Sequence, residues 1–414
     1  MVNQKTSNYS KNKNSFHGKA YRKPNYKGDK AKPFKGGSFK ATKNLKPKLA
    51  KLAIVSGGTG GHIFPAKVLA NYLQGNRYQV QLLLDDRARV YQDLESNNNF
   101  KVNYIKALGL HKKNIGYIFF MILVLFVGFC QSFALFVRNR PACLISFGGY
   151  TSLPPVIAAI ILRIPIIMHE QNAYLGKAHR LFVKHARALA ITFADTHNIP
   201  KNIKQVEITG LPIRLPFYLY RNKYYNKNSR FTITIIGGSQ GAKIFGTQVV
   251  KSFSKFTIEQ QKSLTVYHQV RAEDIQEVKQ AWQGLAVQTE VQPFFKNMAE
   301  IIWQSDLVIA RSGASTIKEV ELLGKFAIYI PFAKAADNHQ LLNAQSAEKM
   351  KEAEIILEQE FTSELLFNKI LNIFLNQDLY YNKSLEIKKQ AITNATERLT
   401  NLITTFALSA KQEH

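Results

Sequence analysis

Residues 53–62 read AIVSGGTGGH, an apolar run that stops abruptly at a cluster of glycines. A short run of aliphatic and β-branched residues is typical of a parallel strand buried on both faces. Glycines after such a strand allow backbone N–H groups to approach an anion, and a following helix N-terminus favours negative charge. The segment therefore predicts a strand, a phosphate-binding turn and a helix, in that order.

Two further glycine clusters follow apolar runs in the same way. Residues 144–152 read LISFGGYTS, and residues 231–242 read FTITIIGGSQGA. A tight turn without a ligand would explain one such cluster, but it explains three of them poorly. Three candidate phosphate sites at strand ends instead indicate a phosphate-bearing ligand in a cleft between domains.

The fold class follows from the alternation of apolar runs with helical stretches, including helices expected at 242–256, 315–323 and 340–351. This alternation predicts an α/β protein with two doubly wound Rossmann-like domains that face each other across a cleft. The strands are expected at 52–55, 80–84, 144–147, 164–168 and 188–192 in the first half, and at 231–236, 264–269, 287–292, 307–310, 326–330 and 354–357 in the second.

Composition divides the chain further. Residues 1–50 contain fourteen Lys or Arg against one acid, Asp29, and almost no aliphatic residues, which predicts a disordered basic tail. The remaining boundaries are expected at 51–214 for a first domain and 215–383 for a second. A C-terminal helix over 384–414 is expected to pack back across the join.

The net charge of +28 favours anionic partners such as phosphates, anionic lipid or nucleic acid. The tail could attract RNA or a lipid surface, or be a solvated segment with no specific partner, and no folded RNA-binding signature accompanies it. The only cysteines, Cys130 and Cys143, lie in apolar surroundings and fit a reducing compartment.

Nicotinamide or flavin dinucleotide binding is the main competitor for the glycine turns. Asp85 and Asp86 follow the first turn at about the right distance for a ribose contact. However, Ile63 stands where the G-x-G-x-x-G fingerprint needs its third small residue, and the P-loop pattern is absent. The sequence therefore argues against a dinucleotide oxidoreductase.

Six segments in this order resemble the MurG family, the N-acetylglucosaminyltransferases of peptidoglycan assembly. They are GGTGGH at 57–62, GGY at 148–150, HEQNA at 169–173, GGSQGA at 237–242, RSGAST at 311–316 with Glu319, and DNHQ at 337–340 with Asn343 and Ala344. The resemblance covers about residues 51–360. It departs at Val270, where the family usually has Gly, and at the pair formed by Lys296 and Asn297, which is often acidic.

The resemblance implies a fold of the GT-B type and inverting transfer of N-acetylglucosamine from UDP-N-acetylglucosamine to the lipid-linked acceptor lipid I, giving lipid II. It makes 51–214 the acceptor and membrane-binding domain, with an acceptor site at Gly148, Gly149 and Tyr150, and 215–383 the UDP-sugar-binding domain. It implies roles for Glu319 at the donor ribose, Gln340 at the sugar hydroxyls and the Phe295 backbone at uracil. The implied donor-binding set is Thr59, Gly60, Gly61, Asn172, Arg214, Ser239, Gln240, Phe295, Ala314, Ser315, Thr316, Glu319 and Gln340.

Inverting transfer needs a base for the acceptor hydroxyl and stabilisation of the departing diphosphate. His62, at the mouth of the first glycine turn, is the candidate base, although a histidine there could instead cap the helix or bind phosphate. The chain contains no D-x-D pair, so neither a metal ion nor a cofactor is expected.

Residues 115–137, IGYIFFMILVLFVGFCQSFALFV, contain no charge and are long enough to span a bilayer. A span would separate two strands that should share one sheet. In-plane contact with an anionic membrane on the cytoplasmic side of the bacterial inner membrane is therefore favoured, with an ordinary core helix as the alternative. The flanking cations are Lys112, Lys113, Arg138 and Arg140.

Two other functions stay open at this point. One is a UDP-sugar transferase of the same fold acting on another lipid acceptor. The other is a non-catalytic basic protein that binds RNA or lipid through its tail. A cleft that brings His62, Glu319 and Gln340 together would favour an enzyme.

Overall fold

The computed structural model describes residues 50–57, 60–90, 100–109, 114–224, 229–237 and 242–409. The strands are β1 (Lys51–Val55), β2 (Gln79–Leu84), β3 (Lys101–Tyr104), β4 (Cys143–Ser146), β5 (Ile166–Glu170), β6 (Ala188–Ile191), β7 (Val206–Ile208), β8 (Phe231–Ile236), β9 (Leu264–Gln269), β10 (Gln288–Gln292), β11 (Leu307–Ala310), β12 (Phe326–Tyr329) and β13 (Ala353–Ile355).

The helices alternate with the strands along the chain. They are α1 (Gly60–Gly75), α2 (Ile115–Arg138), α3 (Leu153–Ile161), α4 (Lys177–Phe182), α5 (Leu215–Arg221), α6 (Thr247–Phe253), α7 (Ile258–Lys262), α8 (Ile275–Gln283), α9 (Met298–Gln304), α10 (Ala314–Leu322), α11 (His339–Lys349), α12 (Ser363–Leu375), α13 (Gln377–Gln390) and α14 (Ala395–Ser409).

The strands form two parallel sheets, with the order β3-β2-β1-β4-β5-β6-β7 in the first domain and β10-β9-β8-β11-β12-β13 in the second. In each sheet the strand order reverses once, between β1 and β4 and between β8 and β11. Ligands of doubly wound proteins bind outside the carboxyl ends of the strands at this reversal. The predicted α/β architecture of two Rossmann-like domains is confirmed.

The central strands are buried on both faces, as their continuous apolar sequences predict. The four residues from Leu52 to Val55 are all 0% exposed, and so are Leu307 to Ala310 of β11. Apolar side chains of one strand alternate between the helix layers on its two sides: Leu52 and Ile54 pack with α1, whereas Ala53 and Val55 pack on the side of α3. This burial on both faces holds the strand ends, and hence the glycine turns, in fixed positions.

The C-terminal segment differs from the single helix expected from residue 384. Helix α13 ends at Ala391, whose backbone is extended (φ −59°, ψ 130°), and α14 begins at Ala395. Leu399, Leu402 and Ile403 of α14 then join the core of the first domain, alongside strands β1 and β2. The chain thus crosses between the domains twice, before α5 and before α14.

Three other local predictions were wrong. Strands β3 and β7 were missed, because both are short edge strands whose residues are largely half-exposed or exposed, without a continuous apolar run. The helix expected over 242–256 is a 3₁₀ turn at Lys243–Phe245 followed by α6, because Gly246 (φ −78°, ψ −137°) interrupts the helical backbone.

Helix α2 connects β3 to β4 and buries only a narrow stripe, formed by Gly128, Ser132 and Phe136. A Cβ atom at Gly128 would lie 2.0 Å from the carbonyl oxygen of Lys106, so only glycine allows this close approach of the helix. The opposite side of α2 is apolar and exposed. Eight large apolar side chains there are at least 42% exposed: Ile115, Phe119, Phe120, Ile122, Leu123, Phe126, Val127 and Val137.

Candidate active site

The two glycine turns of the first domain, one after β1 and one after β4, touch each other at the strand reversal. A Cβ atom at Gly149 would lie 2.9 Å from Cα of Gly57, and the backbone of Gly149 is left-handed (φ +79°). Both constraints require glycine at this position. The backbones that follow β1 and β4 therefore form one surface where Gly57 meets Gly149, with Gly60, Gly61 and His62 at the start of α1 and Tyr150 at the start of the following 3₁₀ turn.

Behind this surface lies a buried hydrogen-bonded chain of three side chains. His179 Nδ1 donates to Glu170 Oε2 at 3.0 Å, and His179 Nε2 lies 3.2 Å from Ser146 Oγ. Glu170 also accepts the backbone N–H groups of Asn172 and Gly176. Burial raises the pKa of Glu170, but His179 and these N–H groups outweigh it and bring the pKa to about 2. A carboxylate is thus fixed beneath the turns.

His62 lies in the first turn of α1 and is half-buried. Burial lowers the pKa of His62 to about 4, and the nearby Glu170 only partly offsets this effect. The charges of His179, Arg87 and, from the second domain, His339 also act on the ring. His62 is therefore neutral at physiological pH, and the influence of His339 places its ring near the second domain.

Asp85 and Asp86, the candidates for a dinucleotide ribose contact, have other partners in the structure. Asp85 is 2% exposed and accepts hydrogen bonds from Arg87 and from the hydroxyl of Thr151. Asp86 is paired with Arg89 and Lys106. Asp85 thus fixes the 3₁₀ turn at Tyr150–Ser152 against the end of β2.

The second domain presents the N-terminus of α10 to the first glycine turn. Ser315 Oγ lies 3.5 Å from the carbonyl oxygen of Gly61, and Ala314 and Thr316 lie beside it in the same turn of helix. One turn further on, Glu319 Oε1 accepts hydrogen bonds from Nε and Nη2 of Arg214, at 3.0 and 2.8 Å. Burial raises the pKa of Glu319 despite the opposing charge of Arg214.

Helix α11 makes a further contact between the domains. Asn343 is fully buried, and its Oδ1 accepts the backbone N–H of Ala173 at 2.7 Å, while its Nδ2 donates to Oδ1 of Asn172 at 3.2 Å. Gln340 lies one turn earlier in the helix. Its side-chain Oε1 accepts a hydrogen bond from the backbone N–H of Phe332, and its backbone carbonyl accepts one from the hydroxyl of Ser312. Gln340 and Asn172 are therefore brought to the same part of the cleft.

The remaining predicted residues fall at the rim of the site or outside the described ranges. Phe295 follows β10, is 3% exposed and packs edge-to-face on Tyr267 with ring centroids 6.1 Å apart. Thr59, Ser239 and Gln240 lie outside the described residues, as do Lys112 and Lys113. Among the described residues, no cluster of three or more His, Cys, Asp or Glu side chains could hold a metal ion.

Sequence reasoning missed several residues that shape the site. Ser146 and His179 belong to the buried chain under the glycine turns, and Arg180 pairs with Asp337 across the cleft at 3.0 Å. No local pattern marks them, because their partners are distant in sequence.

Two family models match the chain. The Glycosyltransferase family 28 N-terminal domain matches residues 52–191, and the Glycosyltransferase family 28 C-terminal domain matches residues 232–399. The N-terminal match spans β1 to β6 of the first sheet, and the C-terminal match spans the second sheet and extends into α14.

Curated relatives are similar over nearly their whole length. The UDP-N-acetylglucosamine–N-acetylmuramyl-(pentapeptide) pyrophosphoryl-undecaprenol N-acetylglucosamine transferase of Rickettsia bellii is 35% identical over 363 residues, 86% of this chain and 99% of the relative. The enzyme of the same name from Caulobacter vibrioides is 33% identical over 364 residues, again 86% of this chain and 99% of the relative.

Solved structures show the same fold. MurG of Acinetobacter baumannii superposes with a TM-score of 0.69 at 23% identity, covering 86% of this chain and 99% of that one. The UDP-GlcNAc 2-epimerase of Neisseria meningitidis bound to UDP-GlcNAc superposes with a TM-score of 0.61 at 12% identity, covering 86% and 100%. From the extent and identity of the curated matches, the chain belongs to the MurG family of glycosyltransferases.

Proposed function

We propose that the protein transfers N-acetylglucosamine from UDP-N-acetylglucosamine to the C4 hydroxyl of the N-acetylmuramoyl group of lipid I, giving lipid II with inversion at the anomeric carbon. Relatives named for this reaction are 32–35% identical over most of the chain, and this observation carries the assignment. No feature of the described residues favours a different lipid acceptor or a non-catalytic binding protein.

The donor lies on the second domain in this proposal. The backbone of Phe295 contacts uracil, and Glu319 accepts hydrogen bonds from the ribose hydroxyls. Arg214 supports this role, because its two hydrogen bonds hold the Glu319 carboxylate in place. Gln340 bonds the sugar hydroxyls from the N-terminal turn of α11. Ala314, Ser315 and Thr316 then lie between the donor and the first domain, where Ser315 already reaches Gly61.

The acceptor lies on the first domain, with its diphosphate and sugar against the surface formed by Gly148, Gly149 and Tyr150. The acceptor C4 oxygen attacks the anomeric carbon of the donor from the face opposite the diphosphate. As the new C–O bond forms, the bond to the diphosphate oxygen breaks and UDP leaves. His62 accepts the proton of the C4 hydroxyl, a role that its neutral ring permits.

The departing diphosphate needs stabilisation of its developing charge. We place it between the glycine turn of the first domain and the N-terminus of α10, whose backbone N–H groups point to the cleft. Thr59, Ser239 and Gln240 complete this site by resemblance. Because N–H groups and hydroxyls fulfil the role of a divalent cation, we expect transfer to continue in chelator.

We further propose that α2 lies in the plane of an anionic membrane, on the cytoplasmic side of the bacterial inner membrane. By length and composition α2 is apolar enough to cross a bilayer, and only 11% of its most apolar 18-residue stretch is buried. However, β3 before it and β4 after it belong to one sheet. A span would place these strands on opposite sides of about 30 Å of hydrocarbon, so contact in the plane fits better.

This membrane contact suits the acceptor, whose polyprenyl chain stays in the bilayer. The exposed cations Arg138, the last residue of α2, and Arg140, two residues beyond it, suit lipid headgroups. The free thiols of Cys130 and Cys143 fit the reducing cytoplasm. Binding of RNA by residues 1–50 rests on composition alone.

The decisive experiment incubates the full-length protein with labelled UDP-N-acetylglucosamine and lipid I, with and without chelator. A product heavier than lipid I by one N-acetylglucosamine residue, formed equally in chelator, supports the proposal. Transfer to diacylglycerol but not to lipid I would replace the acceptor. Absence of any transfer, together with vesicle or RNA binding, would favour a binding protein.

A further inference from the structure

An ion pair joins the two domains immediately before the donor-binding helix α11. Nη2 of Arg180 on α4 lies 3.0 Å from Oδ2 of Asp337, and Nζ of Lys177 lies 3.9 Å from Oδ1. The side chains of Arg180 and Asp337 are 30% and 24% exposed, so water only partly screens their charges. Arg180 is itself held by Tyr174, since its guanidinium lies 5.3 Å from the ring centroid.

The backbone at this ion pair is strained. Asp337 and Asn338 both have a φ of +51°, the left-handed region that residues with a side chain rarely adopt. The local hydrogen bonds here are few: the backbone N–H of Asn338 donates to Ala335, and His339 contacts the carbonyl of Ala336. A strained segment of this kind persists only where surrounding contacts hold it, and the contact with Arg180 meets this need.

The strained residues set the start of α11 and hence the place of Gln340. Asn338 is the N-cap, and Gln340 is the second residue of the helix. On the far side of Gln340, Asn343 binds Asn172 and Ala173 of the first domain. Gln340 is therefore bracketed by two contacts with the acceptor domain, one ionic and one neutral.

From this arrangement we infer that Arg180 and Asp337 are positioning residues, which fix the first turn of α11 and thereby help to hold Gln340 against the donor sugar. The inference rests on the proposed function, since it assigns Gln340 to the sugar of the nucleotide donor. It predicts that the ion pair affects binding of the sugar moiety and leaves binding of the nucleotide moiety unaltered.

The test compares Arg180→Gln, Asp337→Asn and the double variant with the unaltered protein. Asparagine tolerates the left-handed backbone, so Asp337→Asn removes the charge without adding strain. We expect each single variant to raise the KM for UDP-N-acetylglucosamine about 3- to 10-fold, and the double variant to raise it no further than the larger single effect. Lys389→Gln, which breaks an exposed pair with Glu386 on α13, is the matched control and should leave the KM unaltered.

Calorimetry with UDP and with UDP-N-acetylglucosamine separates positioning from general loosening. The variants should bind UDP-N-acetylglucosamine with a higher Kd than the parent protein and bind UDP with an unaltered Kd. The inference is overturned if the Kd values of both ligands rise equally, or if the KM of each single variant stays within twofold of the parent value. It is also overturned if the double variant raises the KM by the product of the two single effects. If the parent protein binds both ligands but forms no lipid II, the proposed function fails, and the two Kd values still decide the inference.

Discussion

The two domains share one topology, yet their equivalent crossover connections differ. In each sheet the chain passes from one edge strand to the strand beyond the reversal, from β3 to β4 and from β10 to β11. The first crossover is made by the 24-residue helix α2, and the second by the 7-residue helix α9. Helix α9 packs against β8, whereas α2 packs mainly along α3 and is far longer.

The two helices also divide their apolar residues differently. In α9, Ala299, Ile301 and Ile302 are buried, as expected for a helix whose apolar stripe faces the sheet. In α2, three residues are buried, none of them aliphatic, and the large apolar side chains face outward. Folding alone does not explain such a face. This difference supports our proposal that the first domain binds a membrane-bound acceptor and the second a water-soluble donor.

The largest effect that tests this division is expected at His62, the proposed base for the acceptor hydroxyl. Replacing His62 by Ala should lower kcat about 10²- to 10⁴-fold, the usual contribution of a general base, and leave the Kd for UDP-N-acetylglucosamine nearly unaltered. Steady-state kinetics with lipid I and calorimetry with the donor measure the two effects. His185→Ala, at an exposed position of the same domain, is the control. A variant that keeps its kcat but loses donor affinity would make His62 a phosphate-binding residue.

The membrane face gives the next largest effect. Phe119, Phe120 and Leu123 are 73%, 55% and 52% exposed, so replacing them by Ser should spare the fold. Partial burial of each in lipid contributes about 1 kcal/mol, so the triple variant should bind anionic vesicles about 100-fold more weakly. Sedimentation with vesicles measures this partition, and turnover on a soluble acceptor analogue checks the active site.

A matched change in α9 sharpens the comparison. Ser in place of the buried Ile301 should destabilise the second domain without acting on vesicle binding. High salt should weaken vesicle binding by the parent protein only partly, since the apolar contribution is insensitive to salt. Complete release by salt would contradict the apolar docking of α2.

The donor side should respond through Glu319. Glu319→Ala leaves Arg214 and the ribose hydroxyls without their acceptor, and we expect a loss of about 1–3 kcal/mol in kcat/KM for the donor. Vesicle binding should stay the same, which distinguishes this variant from those in α2. Glu364→Gln, in an exposed pair with Lys255, serves as the control. Unaltered kinetics for Glu319→Ala would remove this carboxylate from the donor site.

The sequence predicted the central strands well because burial on both faces leaves a continuous apolar run, as in Phe231–Ile236, where even the strand ends agree. It failed at the edge strands β3 and β7, which are only partly covered and lack that run. It also could not show that the helix expected from residue 384 ends at Ala391. That ending places Ile392 and Ala395 against Gly210, a contact between distant parts of the chain.

The candidate site was predictable where function lies in a local motif and not where it lies in a contact between domains. The glycine turns and Glu319 could be read from short segments, because each segment has its own backbone or charge requirement. The pairing of Arg214 with Glu319 joins residues that lie 105 positions apart, and that of Arg180 with Asp337 joins residues 157 apart. Such pairs exist only once the two sheets are packed together.

The smallest expected effect concerns pH, and it separates the acceptor-side base from an ordinary histidine. Burial holds the pKa of His62 at about 4, so the neutral, proton-accepting form is complete at neutral pH and is lost only as the pH falls through 4. Between pH 7 and pH 5 the neutral fraction should fall by about 10%, whereas a histidine with an unperturbed pKa near 6.5 would lose about 97% at pH 5. We therefore expect kcat/KM to vary less than about twofold over this range in a pH-rate profile with soluble acceptor.

The donor diphosphate is fully ionised throughout, so it adds no slope of its own. The neighbouring charges of Glu170, His179, His339 and Arg87 are already included in the lowered pKa. An acidic limb near pH 6.5 that disappears in His62→Gln would show that the ring is exposed to water in the working enzyme. In that case burial would not lower the pKa of the base during turnover.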